Sequence, residues 1–156
     1  DSTPESNHHD VIRDFGGVPV EQWQRMHDAA CAVQGNAHAP YSNFKVGAAI
    51  LGGDDEIYTG CNVENASGGA TVCAERSAVS NAITHGVDEL RGLCVVTTLD
   101  RPAAPCGICR QVLVEFTRDL PILMANCEQG LEYTTLDAIL PRQFTPDDLL
   151  GPEPQS

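Results

Sequence analysis

The sequence predicts a three-layer α/β domain built on a mixed sheet. Two observations carry the prediction. Apolar residues recur at three- and four-residue steps in three separate segments, as amphipathic helices require. Between and after them stand short apolar runs bounded by Gly, Pro, Asn and Asp, the pattern of strands covered on both faces. The resulting order is α-β-β-α-β-α-β-β, and such alternation packs helices against both faces of one sheet.

Each element has a local reason. Trp23, Met26, Ala30 and Val33 set the helical period over 20–33, and Gly35 closes that helix. Residues 44–51 form a short apolar strand; GGDD at 52–55 turns the chain, and 56–63 return as the second strand of a hairpin. In 73–85, Ala74, Ala78, Ala82 and Ile83 share a helical face, with Gly86 as a stop signal. LCVVTT makes 90–98 a buried strand, and RPAAP at 101–105 is a rigid loop. Ile108, Val112, Leu113 and Phe116 give 107–118 helical spacing. Residues 121–125 and 131–136 are two short strands around the turn at 126–130, and LPRQFTPDDLL (140–150) closes as a short irregular or helical segment. Residues 1–18 are polar and aperiodic and read as a flexible acidic tail. The domain proper is expected at 19–150 and a second tail at 151–156.

With 156 residues, 42% of them hydrophobic, the chain can bury a core without disulfides. It has no apolar run approaching the ~18 residues of a membrane span. The net charge is −13, with Lys45 the one lysine; about half the excess lies in 1–14 and 147–156, leaving −7 on the body. Such a surface repels polyphosphates, so neither nucleic acid nor an anionic membrane is an expected partner. Seven cysteines, an odd number, follow a polar start that does not read as a secretory leader. A reducing cytoplasm, with thiols used for metal or catalysis rather than as a disulfide framework, is the expectation.

Three of those cysteines carry the chemistry. Cys73 opens one predicted helix, and Cys106 and Cys109 open the next within PCGIC. A helix N-terminus offers unpaired N–H groups and partial positive charge, both favouring a thiolate. Three thiolates from two neighbouring helix starts can converge on one zinc ion, and an open fourth position would make it catalytic. Glu75, two residues after Cys73, can face the same site without ligating; a metal-activated water needs such a group to take and deliver a proton. Zinc plus three thiolates carries net −1, which Arg76 and the two helix N-termini can offset. Two other readings stay open: a CxxC redox dithiol, and a structural zinc completed by Cys31, Cys61, Cys94 or Cys127. Those four are otherwise expected as small buried hydrophobes. His8, His9, His27, His38 and His85 lack metal-ligand spacing and are expected in structural or solvent roles.

The blocks YSNFKVGAAI (41–50), GCNVENAS (60–67), TVCAERSA (71–78), PCGICRQVLVEF (105–116) and LPRQFTPDDL (140–149) together resemble the small homotetrameric cytidine deaminases. The match runs in order from about residue 20 to 150, and Cys-Ala-Glu with Pro-Cys-x-x-Cys is the zinc-deaminase signature in its three-Cys form. The resemblance implies an α/β/α cytidine deaminase-like fold with a mixed five-stranded sheet. It also implies zinc on Cys73, Cys106 and Cys109, proton transfer by Glu75, and hydrolytic deamination of cytidine and 2′-deoxycytidine to the uridines with release of ammonia. It places Asn62 and Glu64 on the ribose hydroxyl, Phe44 against the pyrimidine ring, and the backbone around Ala66 and Ala74 at the polar edge of the base. Phe144 resembles the aromatic that a neighbouring subunit contributes, so a homotetramer with sites at subunit interfaces is implied. A carboxylate and an amide two apart at a strand end share a face and can bracket one hydroxyl, which supports the Asn62/Glu64 pairing independently.

In one place the chain departs from the family pattern. Gly68, followed by Gly69, stands where members usually carry an aromatic residue, commonly tyrosine. A roomier site that tolerates substituted cytosine nucleosides is the expectation, and a modified nucleoside or nucleoside antibiotic is the alternative substrate. A non-catalytic, zinc-stabilised interaction domain is the rival from another class; it would need four protein ligands and leave Glu75 idle.

Overall fold

The structure, a computed structural model, describes residues 11–99, 103–128 and 131–151. The elements are α1 (Val20–Gln34), β1 (Gly47–Gly52), β2 (Ile57–Cys61), α2 (Ala74–Thr84), β3 (Leu90–Val96), α3 (Gly107–Val114), β4 (Pro121–Ala125), β5 (Glu132–Thr135), α4 (Leu136–Ile139) and α5 (Pro146–Leu150). The five strands form one sheet in the order β2-β1-β3-β4-β5, in which only β3 and β4 run parallel. The expected mixed, five-stranded α/β fold is therefore observed.

Alternation along the central strands makes the three layers. Ala48 and Ile50 of β1, with Leu93 and Val95 of β3, pack on the face covered by α2 and α3. The intervening Ala49, Leu51, Cys94 and Val96 point the other way, onto Trp23, Met26 and Ala30 of α1. Every residue of β1 is buried, because helices cover both sides and leave no polar face to alternate with. The helices lie close. A Cβ on Gly47 would come within 2.1 Å of the Ala30 carbonyl oxygen of α1, and one on Gly60 within 2.3 Å of the Ala78 nitrogen of α2.

Several element ends differ from expectation. The first strand begins at residue 47 rather than 44, because Asn43 takes a positive φ of 58° and residues 44 and 46 bond to the Asn62 side chain instead of a strand. The helix from residue 107 ends at Val114, where Phe116 and Thr117 both donate their N–H to the Leu113 carbonyl and tighten the last turn. The closing segment resolves into α5, with α4 standing ahead of it at Leu136–Ile139. Residues 11–18, expected as part of the N-terminal tail, lie on the core. Val18 is buried, Phe15 stacks on Tyr133 with ring centroids 4.7 Å apart, and Trp23 Nε1 donates to the Phe15 carbonyl at 3.2 Å. The apolar residues Ile12, Phe15 and Val18, three apart, extend the α1-side core. Residues 1–10 and 152–156 fall outside the described residues.

The cysteines need a second correction. Cys94 is the buried hydrophobe expected, but Cys31 of α1 and Cys127, just beyond β4, form a disulfide with Cα atoms 5.8 Å apart. α1 lies on the same sheet face as the end of β4, so these two residues, 96 apart in sequence, meet at one edge. No helix is long and apolar enough to cross a membrane among the described residues.

Candidate active site

Two helix starts build the site. Cys73 has extended backbone (φ −75°, ψ 156°), and its carbonyl accepts the first helical bond of α2, from Ser77 N–H at 3.0 Å. Cys106 stands in the same way ahead of α3 (φ −69°, ψ 168°), and its carbonyl accepts from Arg110 N–H at 2.9 Å. Each thiol thus sits at the end of a helix whose first N–H groups have no intrahelical partner. Cys109 lies one turn into α3 on the same side. The Arg110 guanidinium braces the turn ahead of Cys106, with Nε donating to the Pro105 carbonyl at 2.7 Å and Nη1 to the Ile139 carbonyl at 2.6 Å. Nothing in the sequence distinguished this arginine from a surface one.

The three sulfurs converge. Cys73 Sγ lies 3.8 Å from Cys106 Sγ, Cys106 Sγ 3.3 Å from Cys109 Sγ, and all three lie within 4.8 Å of one another. A tetrahedral zinc with Zn–S bonds of about 2.3 Å holds its thiolates about 3.8 Å apart, so the donors fit this ion in both type and spacing. Burial pushes the Cys73 and Cys109 thiols above their ordinary range. At Cys106 burial also pushes upward, but hydrogen bonds from the Cys109 backbone and thiol outweigh it and the net shift is downward. Three thiolates this close repel one another, so a cation is what lets all of them ionise together. No fourth Cys, His or carboxylate ligand atom joins the cluster among the described residues. The structural-zinc reading, which needs one, finds no support there.

Glu75, the second residue of α2, is 5% exposed, and burial raises its carboxyl above the usual carboxylate range. Arg76 Nη2 donates to the Thr71 carbonyl at 3.0 Å and to Cys73 Sγ at 3.9 Å, setting a guanidinium charge against the cluster. Its Nε is buried without a partner. Gly60 is why α2 can bring these groups in: a Cβ there would stand 2.3 Å from Ala78 N and 2.7 Å from the Ala74 carbonyl oxygen. Gly60→Ala is therefore expected to push α2 off β2, lowering stability by about 1–3 kcal/mol and lowering zinc content with it. Thermal melts and metal analysis check this; an unchanged melt would mean that α2 has room to give.

The cluster opens on a cavity of about 340 Å³. Cys73, Ala74, Glu75 and Cys106 line it together with Phe44, Val46, Asn62 and Glu64, and Thr97, Ala103 and Ala104 are among the residues that enclose it. The expected Phe44, Asn62, Glu64 and Ala74 are thus all brought to the same cavity as the thiols. Asn62 does a second job that the sequence did not reveal. Its Oδ1 accepts from Val46 N–H at 2.9 Å, and its Nδ2 donates to the Phe44 carbonyl at 2.8 Å, fixing the segment that carries Phe44. An amide nitrogen has two N–H groups, so the second can still serve a ligand. Glu64 is likewise held: Oε1 accepts from Tyr41 N–H at 3.0 Å and Ser42 N–H at 3.2 Å, and Oε2 accepts from the Ser42 hydroxyl. That hydroxyl, with the two N–H groups, keeps Glu64 below the usual carboxylate range.

One expected residue is not brought in: Ala66 is exposed and lies outside the cavity lining. Phe144, expected at a neighbouring subunit's site, is 56% exposed and outside this chain's own cavity; its carbonyl accepts from Gln111 Nε2 of α3 at 2.8 Å. Ser42, Thr71, Thr97, Ala103 and Ala104 line the cavity without having been singled out in the sequence, since small polar and apolar residues in loops carry no pattern that points to a ligand.

Residues 20–124 match the family described as the cytidine and deoxycytidylate deaminase zinc-binding region. The chain is 44% identical over 114 residues to a cytidine deaminase of Sporosarcina psychrophila, covering 72% of this chain and 84% of that one. It is 38% identical over 127 residues to the cytidine deaminase of Halalkalibacterium halodurans, covering 81% and 96%. Among solved structures, cytidine deaminase from Burkholderia pseudomallei superposes with a TM-score of 0.74 at 40% identity, covering 78% of this chain and 98% of that chain. With its three converging thiols, its buried glutamate and this match over most of its length, the chain belongs to the cytidine and deoxycytidylate deaminase family.

Proposed function

We propose that the protein hydrolyses cytidine and 2′-deoxycytidine to uridine and 2′-deoxyuridine, releasing ammonia, as a step of pyrimidine salvage in the cytoplasm. The observation that carries this is that Glu75, Cys73 and Cys106 line one cavity with Phe44, Asn62 and Glu64, while Cys109 completes the sulfur cluster behind it. Cys73, Cys106 and Cys109 would hold zinc, which supplies the Lewis acidity that activates water as a nucleophile. Glu75 takes a proton from that water and delivers it to N3 of the ring; it then takes the second proton, from the hydroxyl now on C4, and passes it to the departing amine. A carboxyl raised by burial suits a group that must both accept and donate near neutral pH. Arg76 offsets thiolate charge. Phe44 packs against the pyrimidine, the backbone at Ala74 meets its polar edge, and Asn62 and Glu64 bracket a ribose hydroxyl. The direct test is the ultraviolet cytosine band on mixing zinc-loaded protein with cytidine. Its decay supports the reading, and a stable band with zinc bound counts against it.

The quaternary state is part of the proposal. Ile108, Phe144, Leu149 and Leu150 are apolar and 56–83% exposed on α3, α5 and the loop ahead of α5, side chains that a neighbouring subunit would cover. Covered in a homotetramer, this face would give Phe144 to a neighbour's cavity.

Substrate range turns on Gly68. Neither Gly68 nor Gly69 has an atom within 4 Å of where a Cβ would stand, and both are exposed. Gly68→Tyr is therefore expected to fold normally and to fill open space, sharpening discrimination between cytidine and bulkier substituted cytosine nucleosides by about tenfold. Ratios of kcat/KM across such a series measure it, and equal ratios in native and variant proteins would remove Gly68 from specificity.

A further inference from the structure

Cys31 and Cys127 line no part of the catalytic cavity, yet both halves of their bridge brace its walls. Gln34 stands one turn beyond Cys31 on α1. Its Nε2 donates to the Lys45 carbonyl at 3.1 Å, between the cavity residues Phe44 and Val46, and its Oε1 lies 3.3 Å from Cys127 Sγ. On the other side, Asn126 precedes Cys127. Its Nδ2 donates to the Leu99 carbonyl at 2.8 Å, four residues before Ala103 in the chain, and its carbonyl lies 3.0 Å from His27 Nε2 on α1. The Ala125 carbonyl accepts from Thr97 N–H at 3.1 Å. Thr97 lines the catalytic cavity and also a second cleft of about 210 Å³, which it shares with Gln34, Asn126, Cys127 and Glu128. The disulfide and the nucleoside cavity thus have a wall residue in common.

Accessibility gives this bridge a chemistry. Cys127 is exposed and opens on the second cleft, while Cys31 is half-buried with its Sγ 3.8 Å from His27 Nε2. Exchange begins with a thiolate reaching one sulfur of the pair, and Cys127 is the more exposed of the two and the one that opens on a cleft. We propose that the Cys31–Cys127 bridge is an exchange site for a low-molecular-weight thiol/disulfide couple, and that its redox state sets how tightly the cavity holds nucleoside. The attacking thiolate forms a bond to Cys127 Sγ as the bond to Cys31 Sγ breaks; Cys31 leaves as thiolate and takes a proton from water. A second thiol then displaces Cys127, so that two thiols are oxidised to one disulfide and the protein bridge is reduced to two thiols. With the bridge closed, α1 and the turn after β4 hold the cavity residues Phe44 and Val46 on one side and Thr97, Ala103 and Ala104 on the other at one spacing. With it open, the turn loses its covalent tie to α1, and the walls lose that constraint while the zinc ligands and Glu75, at the starts of α2 and α3, keep theirs. The functional half of this inference rests on the cavity being the nucleoside site.

The test uses the zinc-loaded full chain equilibrated with oxidised or reduced glutathione. Thiols titrated after denaturation with a chelator should rise from five to seven. KM for cytidine should rise about fivefold or more on reduction and return on reoxidation, with kcat within about twofold and zinc content constant. Amide exchange at 97–99 and 103–104 should quicken in the reduced state. Cys127→Ser and Cys31→Ser should each hold the high KM and lose the response to glutathione. Seven thiols after full oxidation, equal KM in both states, or equal exchange would each overturn the proposal. Differing exchange with no turnover in either state would support the device and count against the nucleoside reading alone.

Discussion

Glu75→Ala protein is expected to fold, bind zinc and lose about 10²–10⁴-fold in turnover of cytidine, the range that a positioned proton carrier supplies. Glu75 is 5% exposed, lines the cavity beside the thiols and is not one of the cluster's ligand atoms, so its removal should leave the metal site standing. Among the described residues no second carboxylate lines the cavity in a comparable way: Glu64, the other one there, accepts from Tyr41 and Ser42. The measurement is the rate of decay of the cytosine band, with metal analysis and a thermal melt on the same preparation. A variant that holds zinc and turns over at a near wild-type rate would take proton transfer away from Glu75. Together with the wild-type result it separates the reaction itself from the identity of its proton carrier.

Cys106→Ala and Cys109→Ala should fail differently, by losing the metal. Each removes one of three sulfurs that lie within 4.8 Å of one another, and two thiolates bind zinc far less tightly than three. A ligand present at a hundred times its Kd stabilises by about 2.7 kcal/mol, which in a chain of this size is about 5–10 °C in Tm. The variants should therefore lose stoichiometric zinc, lose activity and melt lower by about that amount, and a chelator should lower the wild-type Tm but leave theirs unchanged. Cys109 is buried and Cys106 exposed, so Cys109→Ala adds a small packing loss to the metal loss. Full zinc occupancy in either variant would remove that residue from the ligand set.

Much of this was legible from local pattern. Cys106 and Cys109 share a helical turn whatever the tertiary structure does, and PCGIC marks the start of that turn. Glu75 follows from Cys73 by two residues in the same way. The strands of the central sheet were legible as apolar runs because both their faces are covered, a burial that leaves no polar alternation to read.

Contacts between distant segments came from folding instead. Cys73 meets Cys106 across 33 residues because β3 returns the chain so that α2 and α3 lie on one face of the sheet. Cys31 meets Cys127 across 96 residues because α1 covers the opposite face and reaches the end of β4. No spacing rule encodes that pair, so in the sequence it read as two small hydrophobes. Asn62 looked like a sugar ligand only, yet its amide also spans to Phe44 and Val46, 18 and 16 residues away. Ile12, Phe15 and Val18 looked like part of a tail because three apolar residues in a polar stretch make no period until Trp23 and Tyr133 supply the surface that they cover. Most elements and the reacting groups could be read from the chain alone, since helix starts, apolar runs and ligand types are set by neighbours in sequence. The packing of α1 on one face and of α2 and α3 on the other decided which of those groups share a cavity, since burial and sulfur-to-sulfur distance depend on residues that the chain brings together only by folding.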